Sequence, residues 1–203
     1  MNRIMENQDQ VIIEKPEGPN RKEQLDNYFQ YVIQAIKDPD HLLSDEVKGK
    51  HQFGLITLIA FLGLVLLSNL VGIFQYLDAL RYLGFSDYFD YFDRTISYGV
   101  TLALLILFFK NNASKIDNRY DLNFFFEKFG ALLAIPSLLL LLSIPLELLD
   151  VTIYLWFSSL AYTLLYLSVF MISYLYVAKN NIKTAIFYVA GFYFVYQIVS
   201  LIL

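Results

Sequence analysis

Polar and apolar positions along the chain fall into three regimes. Residues 1–22 are rich in Asn, Gln, Glu and Lys and are broken by Pro16, Gly18 and Pro19, the composition of a disordered tail. From Glu23 the pattern changes. Leu25, Tyr28, Phe29, Val32, Ile33 and Ile36 recur at intervals of three and four, which puts an apolar stripe on one face of a short helix. Asp38-Pro39-Asp40 ends it, because the residue before a proline is pushed out of the helical region. Five long apolar runs follow, at about 53–74, 91–109, 129–146, 154–177 and 184–203. A helix rises 1.5 Å per residue and the bilayer core is about 30 Å thick, so runs of this length read as membrane spans. The second is strongly apolar only from Ile96 to Phe109 and must draw in Tyr91–Thr95, which sets Asp93 and Arg94 in the interface. Pro136 predicts a kink near the middle of the third span, where neighbouring helices satisfy the freed carbonyl. The expected fold is an all-α polytopic bundle of five transmembrane helices over 52–203, preceded by an amphipathic juxtamembrane segment over 23–51.

Charge orients this bundle. Thirteen of the fifteen lysines and arginines lie in the N-terminal arm, in the link after the second run, or in the link after the fourth. The other face holds only Arg81 and Arg94, against Asp78, Asp87, Asp90, Asp93, Glu147 and Asp150. Basic residues in short loops mark the cytoplasmic side, so the expected topology is N-in, C-out. Composition agrees with the class: 57% of the 203 residues are hydrophobic, above the roughly 45–50% usual for soluble domains. The first fifty residues are polar and hold no signal peptide, so insertion is expected to rely on the first span.

Residues that carry chemistry are scarce. There is no cysteine, and both histidines, His41 and His51, precede the first span. No HExxH, Gly-x-Ser-x-Gly or glycine-rich phosphate loop occurs, so no enzyme activity, catalytic residue, metal site or cofactor is expected. Glu127, Lys128, Glu147 and Asp150 read as charges at the ends of the third span, leaving the membrane interior nearly free of ionisable groups. The stripe on Leu25, Tyr28, Phe29, Val32 and Ile36 is a candidate interface, whether with the inner leaflet, the bundle or a partner protein. On the other face, Asp87, Asp90, Asp93 and Arg94 lie in an Asp/Tyr/Phe segment whose rings suit an interfacial belt, with Asp90 spaced to pair with Arg94. An acidic patch for a cation or a basic partner is the other reading of that segment. Asn69, inside the first span, wants an interhelical hydrogen bond or lines a solute path. Gly54, Gly63 and Gly72 are nine residues apart and form no single seam, whereas Gly99 with Ala103 and Gly130 with Ala134 have small-xxx-small spacing.

With these features in view, the chain resembles bacterial Yip1-like five-span membrane proteins. The likeness lies in Phe129-Gly130-Ala131-Leu132 followed by Pro136 and the run 138–142, and in 31–40 with Ile36-Lys37-Asp38-Pro39. It departs from similar bacterial proteins in lacking a cysteine-bearing zinc ribbon, and it shows no motif of the relatives that work with small GTPases. The resemblance implies a non-enzymatic interaction or scaffold protein in membrane organisation or envelope assembly, in a bacterial plasma membrane. Its expected partners are membrane lipids and proteins, or a second copy, at the cytoplasmic face, with no nucleic acid. The alternative is a small-solute channel or accessory transporter subunit, with a polar cavity near Asn69, Ser143, Ser158, Ser159 and Thr163.

Overall fold

The computed structural model describes residues 21–44, 49–74, 85–115 and 117–203, and their side chains except those of 21–24, 26, 72–74 and 85–91. Most of the expected tail, the 45–48 part of the polar stretch before the first span, and the side chains of Asp87 and Asp90 therefore lie outside the described residues. All regular structure among the described residues is helical: α1 (Arg21–Lys37), α2 (Pro39–Leu43), α3 (His51–Phe74), α4 (Phe85–Ala113), α5 (Leu122–Leu148), α6 (Tyr154–Ile172) and α7 (Ile182–Ile202). Five helices are long and apolar enough to cross a membrane, over His51–Val71, Phe92–Ala113, Leu122–Leu148, Tyr154–Val177 and Ile182–Ile202.

Local chemistry sets the boundaries. Asp121 caps α5 by accepting from the Phe124 N–H at 2.8 Å, and Asn181 caps α7 by accepting from the Thr184 N–H at 3.1 Å. The third span thus starts at Leu122, seven residues before the Phe129 expected from hydropathy. A left-handed residue, Asp150 with φ 54°, turns the chain between α5 and α6. Lys179 and Asn180, with φ 51° and 62°, do so between α6 and α7. The helix of α5 continues through both Pro136 and Pro145.

Successive long helices run antiparallel. The starts of α3, α5 and α7 and the ends of α4 and α6 share one end of the bundle with α1 and α2, here the proximal end. α5 is the central element, packed most extensively on α3 and then on α6. Half of its span is buried, against 11% for α7 at the periphery. The closest approach is a glycine pair. A Cβ on Gly54 would fall 2.7 Å from the Glu127 Cα, and one on Gly130 would fall 2.6 Å from the Gly54 carbonyl carbon. Only hydrogen fits at either position, so the α3 and α5 backbones meet in direct contact. Around this crossing, Phe61 and Val65 of α3, Ile106 and Phe109 of α4, Phe129 and Leu133 of α5, and Leu165 and Val169 of α6 form the core. Gly99 meets a side chain, Leu62, while Ala103 is exposed, so that pair makes no close helix crossing.

Candidate functional site

The proximal end is built around a buried lysine. Lys128 is fully buried nearly two turns inside α5, where an unpaired ammonium would carry a large desolvation cost. Its Nζ donates to the carbonyl oxygens of Leu42 at 2.7 Å and Ser44 at 2.8 Å, and lies 3.5 Å from the Glu127 carboxylate. The Phe124 ring closes the remaining side, 5.1 Å from Nζ. These carbonyls belong to the last turn of α2 and its cap, groups that a five-residue helix leaves without internal donors. Tyr176 takes the carbonyl between them, its hydroxyl donating to the Leu43 oxygen. It does so from a π-helical turn, Ser173–Val177, that ends α6. The three consecutive carbonyls of Leu42, Leu43 and Ser44 are thus held by α5 and α6 together.

α1 is fastened beside them. Tyr31, 1% exposed, donates through its hydroxyl to the Glu127 carbonyl at 3.2 Å and packs with Ala35 on Ala131 and Ala134. Burial pushes the Tyr31 phenol well above its ordinary 10.0, and the nearby Glu127 and Tyr28 add to the shift. The Tyr28 hydroxyl lies 3.3 Å from the Thr57 Oγ1 of α3. The Glu127 carboxylate accepts from the Lys50 N–H at 2.8 Å, while Lys50 Nζ donates to Gln34 at 2.8 Å and Gln34 lies 2.9 Å from His41 Nδ1. α1, α2 and the chain entering α3 are therefore tied to Glu127-Lys128. Sequence reading placed these two charges at a helix end. The structure instead sets them inside α5, where they organise the surrounding chain.

The five candidates on the amphipathic stripe separate into two groups. Tyr28 and Val32 are half-buried against Tyr31, Ala35 and Phe53. Leu25, Phe29 and Ile36, with Ile33 between them, face outward, Leu25 and Phe29 being 55% and 58% exposed. At 100° per residue the outward set spans about 80° and adjoins the inward set. α1 is apolar over two neighbouring faces. Only one of these faces is covered by the bundle.

At the distal end the arrangement is aromatic. Tyr98 stacks on Tyr162 at 5.5 Å and on Tyr196 at 4.4 Å, joining α4, α6 and α7. Arg94 sets its guanidinium 5.8 Å from the Tyr162 ring centre. Asp93 accepts from Ser97 at 2.9 Å and from Ser200 at 2.8 Å, which ties the start of α4 to the end of α7. Ser68 donates to Glu147 at 3.4 Å, and Asn69 is half-buried beside it. The rings at 98, 162 and 196 lie in three separate runs, and no spacing within one run announces their meeting.

Three clefts accompany these groups. A polar one of about 340 Å³ at the proximal end includes His51, Arg119, Asp121 and Glu127. An apolar one of about 350 Å³ lies between α4 and α7. A third, of about 200 Å³, lies between the α1–α2 corner and α5–α6. Asn69, Ser143, Ser158, Ser159 and Thr163 line none of them. The hydroxyls of Ser143, Ser158 and Thr163 donate to carbonyls of their own helices. No family model matches the chain, and no curated protein or solved structure is significantly similar to it.

Proposed function

We propose that this chain is a non-enzymatic, Yip1-like interaction or scaffold protein of a bacterial plasma membrane, with its N-terminus cytoplasmic and its C-terminus extracytoplasmic. The observation that carries this reading is the outward apolar face of α1, Leu25, Phe29, Ile33 and Ile36, on a helix fastened to α5 by Tyr31 and followed by α2, which Lys128 and Tyr176 hold. A helix anchored on one face and bare on the next is a display surface, because its position is fixed before anything covers it. The basic residues of the proximal loops support the proposed orientation.

A photo-crosslinking residue at Phe29 in growing cells tests the scaffold reading. One protein partner, or a second copy, in constant proportion is the expected product, and crosslinks to lipid alone would overturn it. Because the chain has no cysteine, single-cysteine variants test the orientation directly. Ser86→Cys should react with an impermeant reagent on intact cells, and Lys179→Cys only after permeabilisation. The alternative, a small-solute channel or transporter accessory subunit, draws on Asn69, Ser143, Ser158, Ser159 and Thr163, none of which lines a cleft described above. It requires solute flux in vesicles that depends on those residues.

A further inference from the structure

The glycine crossing sets the depth of α1. Gly54 and Gly130 meet backbone to backbone, so they share one level of the bundle. From Gly130 to Leu146, the last apolar residue before Glu147, α5 rises sixteen residues, about 24 Å. From Gly54 to the end of its candidate span at Val71, α3 rises seventeen, about 26 Å. Neither length reaches the roughly 30 Å of a hydrocarbon core, so the proximal edge of that core lies at the glycine level or outside it.

α1 straddles this level. Toward the proximal end, the Tyr31 hydroxyl reaches the Glu127 carbonyl, about 5 Å short of Gly130. Toward the membrane interior, Tyr28 lies against Thr57, three residues past Gly54. Tyr31 and Ala35 pack there on Ala131 and Ala134, the latter about 6 Å past Gly130. A helix about 10 Å across therefore sits in the layer where headgroups give way to acyl chains.

Three sectors of α1 suit three surroundings. At 100° per residue, the bundle-facing sector (Tyr28, Tyr31, Ala35), the polar sector (Asn27, Gln30, Gln34, Lys37) and the outward apolar sector (Leu25, Phe29, Ile33, Ile36) lie about 120° apart. The polar sector points to the proximal side: Gln34 accepts from Lys50 Nζ at 2.8 Å, and Lys50 stands four residues before Gly54. With that sector toward water and Tyr31 against α5, the outward apolar sector is turned sideways and toward the bilayer interior.

We infer that α1 is an interfacial helix whose outward sector, Leu25, Phe29, Ile33 and Ile36, is covered by acyl chains of the proximal leaflet. The bundle holds its second sector, and only the polar one meets water. A protein partner of the kind proposed above then meets α1 from inside the bilayer, through a membrane-embedded segment. The inference rests only on the long helices crossing a bilayer and does not depend on which side is cytoplasmic.

Tryptophan fluorescence tests the depth. Trp156 is the sole tryptophan, so Trp156→Phe gives a silent background. Phe29→Trp and Ile33→Trp then report on the outward sector and Gln30→Trp on the polar one, all at exposed positions where the core is untouched. Each full-length variant is reconstituted in phosphatidylcholine vesicles with or without bromine on the acyl chains, and with iodide present on both sides as the aqueous quencher. Phe29→Trp and Ile33→Trp should lose most of their emission to the brominated chains and little to iodide, and Gln30→Trp should show the reverse order. Iodide quenching of the two outward variants equal to that of Gln30→Trp would overturn the inference. So would protection of both from bromine and iodide alike, since a second copy then covers the face. The vesicles hold no other protein, so this result is separate from the crosslinking test of the scaffold reading.

Discussion

The two ends of this bundle are held together by opposite means. At the proximal end one ammonium inside α5 gathers the carbonyls of a chain segment 86 and 84 residues earlier, and Tyr176 adds the carbonyl between them. At the distal end three tyrosine rings and an aspartate bridging two serines share the same task among α4, α6 and α7. The first arrangement is concentrated and directional: remove its centre, and several buried acceptors lose their donor together. The second is spread over contacts of which each is small. A single substitution should therefore open one end and only loosen the other.

Lys128→Ala should have the largest effect. Breaking a buried ionic group costs about 3–5 kcal/mol, because Glu127 and the α2 carbonyls lose their partner. The expected outcome is release of α1 and α2 while the long helices persist, seen as new protease cleavage around His41–Ser44. Gly130→Leu comes next, since it forces side-chain atoms into the α3–α5 backbone contact, at about 3 kcal/mol. Loss of monodisperse protein in detergent would report it, and a fully stable variant would contradict the glycine crossing.

Tyr98→Leu removes two ring stackings, about 1–2 kcal/mol together, and should lower the thermal midpoint without releasing α1. Tyr31→Phe loses one hydrogen bond, about 1 kcal/mol. Its sharper signature is in pH. The folded state holds the neutral Tyr31 phenol, whereas the unfolded chain ionises near 10.0. The stabilisation is complete below that pH and falls as pH rises above it, so alkaline release of α1 should be weaker in Tyr31→Phe. Arg94→Gln, at about 0.5–1 kcal/mol, should be the mildest, measured as a small shift of the midpoint at low salt.

Much of the architecture could be read from the chain. The five apolar runs became five long helices, and the three-and-four spacing from Leu25 to Ile36 lies on a helix that ends at Asp38-Pro39. Contacts between runs could not be read. Hydropathy placed the third span at Phe129 because Glu127 and Lys128 depress its average, yet both charges lie inside the helix with partners far back in the chain. Gly54 and Gly130 show no mutual spacing in one dimension and meet only once α3 and α5 cross. The stripe on α1 read as a single face because Tyr31 and Ala35 were not counted with it. Including them widens the apolar arc to two faces, and the bundle covers the one that Leu25 and Phe29 do not occupy. The candidates Asp93 and Arg94 lie in the first turns of the helix over the second run. Their actual partners, Ser200 and Tyr162, come from helices more than sixty residues further on.

The distance in sequence between Lys128 and the α2 carbonyls also governs the order of assembly. During synthesis at 5–20 residues per second, the 86 residues from Leu42 to Lys128 occupy roughly 4–17 s. Throughout that interval α1 and α2 lack their α5 anchor, and α1 leaves the ribosome with both apolar faces uncovered. The newborn chain thus passes through a stage in which the proximal helices must be tolerated by water, by the bilayer surface or by a chaperone. Arrival of α5 ends that stage by supplying the ammonium that collects them.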